Sequence, residues 1–197
     1  QNILDGKPPI EATPKPPATF IKTDDKIRVP EINNIPLIKQ KTYIISPQGD
    51  SNNFAIIYSG LRGGGWTNQA ISKKLQESLV GKNIIYSNFE NSVDALKAAA
   101  SQSLGKDINI TLLLGWSRGG KTVIEAMPNH PEISYFLLAD PSSSREVQIS
   151  QIPFEKSFMS LSTGRNGTYA KYVESQFKQL ANGGDKHIIE TGDGDHW

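Results

Sequence analysis

Apolar and polar positions follow two different periods along most of the chain, and each change of period marks a predicted strand or helix. From Lys41 onward, short runs of β-branched and aromatic residues end at turn residues, which is typical of strands. These runs occupy residues 42–47, 53–60, 83–89, 108–115, 133–140, 157–162 and 187–191. Between several of them apolar residues recur at helical spacing, as in Val93, Leu96, Ala100 and Leu104. The pattern therefore predicts alternating strands and helices.

This alternation indicates an α/β protein, a three-layer α/β/α sandwich with a mostly parallel central sheet. The most apolar run, 108–115, suits a central strand that is buried on both faces. Because only a short turn at 48–50 joins the runs 42–47 and 53–60, we expect these two strands to be neighbours. The predicted helices occupy residues 67–81, 91–105, 117–127 and 169–180.

The first 40 residues differ from the rest of the chain. They hold seven of the 12 prolines and a single Gly, a composition typical of linkers and surface arms. Short apolar pieces at 26–29 and 35–38 are candidates for an edge strand. We predict a Pro-rich arm over 1–40 and one globular domain over 41–197. Because the chain begins with Gln1, we expect a processed form or a piece of a longer protein, tethered through the arm to a larger assembly of a secreted or virion-associated kind.

Composition excludes several functional classes. Lys and Arg number 21 against 20 Asp and Glu, so no excess charge favours nucleic acid or anionic lipid. The chain has no Cys, and therefore no disulfide, thiolate metal ligand or Cys nucleophile. No apolar run approaches the ~20 residues that a membrane span needs. Only His130, His187 and His196 offer an imidazole.

Residues 110–122, ITLLLGWSRGGKT, carry the candidate chemistry. Gly115, Ser117 and Gly119 form a G-x-S-x-G motif, in which a Ser at a sharp strand-to-helix turn acts as a nucleophile. Small residues two positions before and after the Ser allow the helix to approach the strand closely. A second motif overlaps the first, because Gly115 also begins G-x-x-x-x-G-K-T, a phosphate-binding P-loop.

In the phosphate-loop interpretation, glycine N–H groups cradle the phosphates, Lys121 reaches the β and γ oxygens and Thr122 binds Mg²⁺. Asp140 would then imitate the acidic residue of the metal site. In the nucleophile interpretation, Ser117 needs a His as base and a carboxylate that orients this His. Asp140 ends the strand after the elbow helix and His196 follows the last strand, both at carboxyl ends of parallel strands, where reacting groups gather.

Three further stretches resemble the α/β-hydrolase family, and the resemblance covers residues 42–197. LLADPS, at 137–142, is similar to the Asp-Pro turn that bears the acid in some lipases, and ETGDGDHW, at 190–197, is similar to the loop that bears the catalytic His. IIYSGLRGGG, at 56–65, resembles the strand and loop that supply one oxyanion N–H. The resemblance implies a serine hydrolase with the triad Ser117, Asp140 and His196.

What this resemblance implies further is a carboxylic-ester hydrolase, with amide cleavage as the lesser possibility. The N–H groups of Leu61 and Arg118 would form the oxyanion hole, and Trp66 and Trp116 are candidate walls for an acyl or ring group. The commoner position of the acid, after the strand at 157–162, offers no carboxylate, so the acid is Asp140 or Asp193.

No metal and no organic cofactor is implied, and no insertion is large enough for a substantial lid. We therefore expect an open site for small-molecule or polymer-borne esters. The alternatives are a nucleotide-binding domain that uses residues 115–122, and a catalytically silent α/β-hydrolase-like domain with a structural or binding role.

Overall fold

The β-branched runs form strands at the predicted places. The structure, a computed structural model, describes residues 20–22, 28–30, 38–61, 82–139, 141–142, 158–162 and 186–189, with side chains described within 38–61, 82–139 and 141–142. The described strands are β1 (Phe20–Lys22), β2 (Arg28–Pro30), β3 (Ile38–Lys39), β4 (Tyr43–Ser46), β5 (Asn53–Tyr58), β6 (Asn83–Ser87), β7 (Asn109–Trp116), β8 (Tyr135–Ala139), β9 (Phe158–Ser162) and β10 (Lys186–Ile189). The described helices are α1 (Val93–Leu104) and α2 (Arg118–Ala126), followed by a 3₁₀ turn (Met127–Asn129).

Several predicted features lie outside the described residues. They are the helices at 67–81 and 169–180 and the candidate residues Trp66, Asp140, Asp193 and His196.

Eight strands form one mixed sheet in the order β10-β9-β8-β7-β5-β6-β4-β3. The six strands from β10 to β6 run parallel to one another, whereas β4 pairs antiparallel with both β6 and β3 at one edge. The predicted α/β class with a mostly parallel sheet is therefore confirmed, and β7 is a central strand as expected. β3 adds the edge strand suggested for 35–38, but the piece at 26–29 contributes to β2, which pairs with β1 in a separate two-stranded sheet. The boundary at residue 40 stays a prediction.

The expectation that β4 and β5 are neighbours is wrong, because β6 lies between them. Ile85 of β6 pairs with Ile45 of β4 on one side and with Ile56 of β5 on the other. The short connection crosses the start of β6, where the Asn83 side chain binds it. Its Oδ1 accepts hydrogen bonds from the N–H groups of Gln48 (2.9 Å) and Gly49 (2.8 Å). A buried amide thus satisfies the backbone of a connection that has no strand partner.

Both faces of the sheet are buried. On one face, α1 contributes Val93, Leu96 and Ala100 to the main core, and α2 contributes Val123 and Ile124. On the opposite face a second cluster consists of Ile44, Ile57, Ile84, Tyr86 and Leu114. Burial of both faces explains why the strands are almost continuously apolar instead of alternating.

Helix α1 confirms the helix predicted over 91–105. Ser92 caps its start by accepting a hydrogen bond from the Ala95 N–H at 3.2 Å. Gly105 ends it with φ +63°, a conformation that favours glycine. Within the described ranges, no helix is both long and apolar enough to cross a membrane.

Candidate functional site

A single residue, Ser117, joins the central strand β7 to helix α2. β7 ends at Trp116 and α2 begins at Arg118. Ser117 has φ 49° and ψ −112°, and no other non-glycine residue in the described ranges has a positive φ. A non-glycine residue in such a region costs about 1–3 kcal/mol, so it persists only where the surroundings impose it. The neighbours of Ser117 therefore determine its conformation.

Backbone hydrogen bonds fix Ser117 against the end of β8. Its N–H donates to the carbonyl oxygen of Ala139 at 3.0 Å. Its own carbonyl oxygen accepts from the N–H of Ser142 at 2.8 Å and from the N–H of Lys121 at 3.1 Å. The N–H and the C=O of Ser117 are thus both bound, and two of the three partners flank the sequence position of Asp140.

Close packing of glycines holds the turn from the other sides. A Cβ on Gly115 would overlap the carbonyl oxygen of Gly119, and one on Gly120 would stand 2.6 Å from the Pro141 Cβ. A Cβ on Gly119 would stand 2.6 Å from the carbonyl oxygen of Tyr58 and 2.7 Å from that of Ser59. No side chain larger than hydrogen fits at these positions without movement of the backbone. The start of α2 therefore lies directly on β7 and on the end of β5.

The loop after β5 reaches the same edge of the sheet as Ser117. Tyr58 pairs with Gly115 in the parallel ladder, and the N–H of Ser59 donates to the carbonyl oxygen of Ser87 at 2.9 Å. Leu61 follows two residues later with half of its side chain exposed. Trp116 is 8% exposed, so its ring offers a substrate little surface.

The remaining candidate residues are not brought together by the described part of the chain. Asp140 and His196 lie outside it, so the triad stays a prediction. His130 lies at the opposite end of α2 from Ser117, where its Nδ1 is 3.2 Å from Glu132 Oε1. A position at the far end of a nine-residue helix excludes His130 as the partner of Ser117.

The geometry of the turn counts against the phosphate-loop alternative. A phosphate loop needs several successive backbone N–H groups that face the ligand, whereas only Ser117 separates β7 from α2. The Lys121 ammonium forms an ion pair with Glu125 at 3.0 Å. The Thr122 hydroxyl donates to the carbonyl oxygen of Phe89 at 2.7 Å. Both side chains that would bind nucleotide and Mg²⁺ therefore have other partners.

Phe89 is a residue of this edge that the sequence analysis missed. The Arg118 guanidinium carbon lies 5.5 Å from the centre of its ring, which is the range of a cation–π interaction. The sequence signal was the place of Phe89 two residues after β6, at a carboxyl end. In the described residues no group of three or more His, Asp or Glu could hold a metal ion.

Tyr58, next to the glycine contacts, has an unusual environment. Its side chain is fully buried, and its hydroxyl has no hydrogen-bond partner among the described residues. Burial, together with the charge of Asp94, raises the pKa of Tyr58. The Tyr58 phenol therefore stays neutral at ordinary pH, beside the glycine contacts of the turn.

Comparison with known proteins gives similarity in structure alone. No model of a protein family and no curated protein matches the sequence. The esterase domain of a Rhodothermus marinus protein matches with a TM-score of 0.57 at 11% identity, over 91% of this chain and 88% of that one. A carboxylesterase from Mesorhizobium loti matches with a TM-score of 0.54 at 14% identity, over 83% of this chain and 94% of that one. An α/β serine hydrolase without a lid from Xanthomonas campestris matches with a TM-score of 0.54 at 14% identity, over 91% and 84%. At these identities the similarity shows the fold, which is that of the α/β hydrolases.

Proposed function

Because the chain has the α/β-hydrolase fold, we propose that it is a serine hydrolase that cleaves a carboxylic ester, or less readily an amide, with Ser117 as the nucleophile. The observation that carries the proposal is the strained turn at Ser117, between a central parallel strand and a helix. Reacting groups of such sheets lie at this edge, and a Ser in a sharp turn there is the arrangement of a nucleophile elbow. Similar folds named as an esterase domain and a carboxylesterase support the reaction class.

The Ser117 hydroxyl does not cap the helix that follows it. A Ser at the residue before a helix usually accepts a hydrogen bond from an N–H of the first turn, as Ser92 does in α1. Ser117 makes no such capping bond. Capping therefore does not explain the backbone strain of Ser117 at φ 49°. A role as nucleophile would explain it, because the Oγ of a nucleophile must project from the turn.

In this proposal two backbone N–H groups stabilise the oxyanion. Arg118 is the first residue of α2, and a helix leaves the N–H groups of its first turn without intrahelical partners. The positive end of the helix dipole lies at the same point. We assign the second N–H to Leu61, on the loop that the Gly119 contacts hold beside the turn. Donors fixed in this way stabilise the negative charge that develops on the carbonyl oxygen.

The proposed reaction passes through an acyl-enzyme. His196 takes the proton of Ser117 as Oγ attacks the ester carbonyl, and Asp140 or Asp193 orients His196. His196 then gives the proton to the leaving alcohol as the C–O bond breaks. Water, deprotonated by His196, attacks the acyl group and releases the acid and Ser117. We propose a short acyl or a polymer-borne ester as substrate.

The test is covalent labelling combined with hydrolysis. The purified protein should react with a fluorophosphonate and release p-nitrophenol from p-nitrophenyl acetate. Ser117→Ala should abolish both, whereas Ser103→Ala, an exposed Ser of α1, should change neither. His196→Ala should also abolish both, and Asp140→Asn compared with Asp193→Asn identifies the acid.

A folded protein that is not labelled, or is labelled at another Ser, would contradict the proposal. The catalytically silent binding domain would then be the better account of the fold.

A further inference from the structure

Arg118 carries a charged group that lies against an aromatic ring and forms no ion pair with a described residue. Its side chain is exposed, and its guanidinium lies over the Phe89 ring at 5.5 Å. Among the described residues the ion pairs join Lys121 to Glu125 and His130 to Glu132, and neither includes Arg118. Within the described part of the chain, no carboxylate therefore pairs with this positive charge beside the turn that bears Ser117.

Phe89 is a rigid support for this guanidinium, because its backbone is tied to the same helix. The Thr122 hydroxyl, one turn after Arg118, donates to the Phe89 carbonyl oxygen at 2.7 Å. The preceding residue, Asn88, donates its N–H to the Thr42 carbonyl oxygen at 3.0 Å. Its Oδ1 accepts from the Asn91 side chain at 3.1 Å. The ring and the first turn of α2 therefore form one unit.

Lys121 is a second cation of helix α2 and differs from Arg118 in its partner. Its ammonium is 3.0 Å from Glu125, one turn along α2, so that its charge is balanced within the helix. Arg118 has the aromatic face of Phe89 instead, and a guanidinium carries five N–H donors. Those donors match the geometry of a carboxylate or a phosphate, which they bind through two parallel hydrogen bonds.

We propose that the Arg118 side chain selects ester substrates that carry an anionic group, a carboxylate or a phosphate, near the scissile bond. This inference rests on the proposed function of Ser117. The nucleophile and the residue that binds the substrate's charge are neighbours in the chain. Ser117 acts on the ester carbonyl and the next residue binds the charge of the same substrate. Arg118 is thus a specificity-determining residue through its side chain, in addition to the role of its N–H.

The experiment compares esters that differ by one charge. One pair places the charge on the acyl side, p-nitrophenyl hydrogen adipate against methyl p-nitrophenyl adipate. The other places it on the alcohol side, 4-acetoxybenzoate against its methyl ester. The measured quantity is the ratio of kcat/KM for the charged ester to that for the neutral ester, after subtraction of spontaneous hydrolysis. A ratio cancels any common change in the oxyanion hole.

Removal of the guanidinium should lower this ratio. Arg118→Gln should reduce it about tenfold in at least one pair, as expected for the loss of an ion pair at a partly screened site. Arg118→Lys, which keeps the charge and loses the planar fork, and Phe89→Leu, which removes the support, should give smaller reductions. Lys121→Gln removes a cation from the same helix and should leave the ratio unchanged. The preference of the natural protein should fall as salt is raised to ~1 M.

The outcomes separate the inference from the proposed function. If the natural protein hydrolyses none of the four esters and is not labelled at Ser117, the proposed function fails. If it hydrolyses them and Arg118→Gln changes neither ratio, the inference alone is overturned. An equal reduction by Lys121→Gln would overturn it as well, because it would show an effect of total charge and not of the supported guanidinium. A reduction in the acyl pair or in the alcohol pair shows on which side of the ester the charge binds.

Discussion

The Gly119→Ala substitution adds one methyl group that has two opposite effects on the free energy of unfolding, through helix propensity and through packing against β5. Gly119 is the second residue of α2, and in a helix interior Ala is favoured over Gly by about 1 kcal/mol. The added Cβ, however, would stand 2.6 and 2.7 Å from the carbonyl oxygens of Tyr58 and Ser59, and 2.7 Å from the Tyr58 Cβ. These atoms belong to the end of a central strand and cannot rotate away. Either α2 or the end of β5 must move.

The contacts with β5 decide the sign of the change. Overpacking costs typically about 1–3 kcal/mol, and a contact with two backbone oxygens belongs at the upper end of this range. After subtraction of the gain in helix propensity, the free energy of unfolding should fall by about 2 kcal/mol. For a domain of this size the midpoint of thermal unfolding should then fall by about 4–8 °C. The movement of α2 also displaces the Arg118 N–H relative to Leu61, so labelling of Ser117 should slow by about a hundredfold.

Guanidinium unfolding and the rate of fluorophosphonate labelling below the transition measure the two effects. Gly105→Ala is the control, because a Cβ there meets nothing within 4 Å and the residue ends α1 with φ +63°. Its cost should come from the backbone alone, about 1 kcal/mol, without a change in labelling. A Gly119→Ala protein as stable as the natural one and labelled at the same rate would refute the proposed packing of the turn.

Three further substitutions test the surroundings of the site. Asn83→Ala removes a side chain that makes three hydrogen bonds to the backbone of the β4–β5 connection and one to the first residue of β5; it should lower the free energy of unfolding by about 3 kcal/mol in guanidinium, and a loss below about 1 kcal/mol would contradict this. Tyr58→Phe removes a buried hydroxyl that has no partner in the described part of the chain; it should raise the free energy of unfolding by about 1 kcal/mol, and a lower thermal midpoint would contradict this. Burial opposes ionisation of Glu132, but hydrogen bonds from its own backbone and from His130, with the charges of His130 and Lys97, lower its pKa. A carboxyl group with a lowered pKa stabilises the fold at pH values above its unfolded pKa, and this stabilisation is lost as the pH falls through its folded pKa. The natural protein should therefore be more stable than Glu132→Gln, by less than about 1 kcal/mol at this exposed site. In urea unfolding this difference should disappear between about pH 6 and pH 3. An advantage that does not change with pH would contradict the assignment.

Local features of the fold were predictable because local physics determines them. β7 is mostly apolar since both of its faces are buried, and its end just before Ser117 follows from the change to helical spacing. Ser92 and Gly105 mark the ends of α1 because a cap and a left-handed residue have characteristic side chains. No partner beyond the neighbouring turn is needed to recognise these elements.

Pairing between distant segments was not predictable in the same way. A short turn between two strands usually indicates a hairpin, and nothing near residues 48–50 shows that β6 enters between β4 and β5. The side chain that binds this connection belongs to Asn83, which in the sequence is an ordinary polar residue at the start of a strand. Likewise, the contact between Arg118 and Phe89 joins residues with no common local pattern. Such contacts depend on the order of the strands, which the hydrophobic period does not encode.

The packing of the glycines within residues 110–122 distinguishes between the two motifs that overlap there, the nucleophile turn and the phosphate loop. A phosphate loop uses glycines for conformational freedom, so that successive N–H groups can turn toward a ligand. Here Gly115, Gly119 and Gly120 are needed because backbone or Pro141 occupies the place of a side chain, and the only positive φ in the turn belongs to Ser117. The small residues bring β5, β7 and β8 close enough to hold one strained Ser. A phosphate loop requires conformational freedom of the backbone, whereas a strained turn requires close packing of backbone segments. The contacts of these glycines meet only the second requirement.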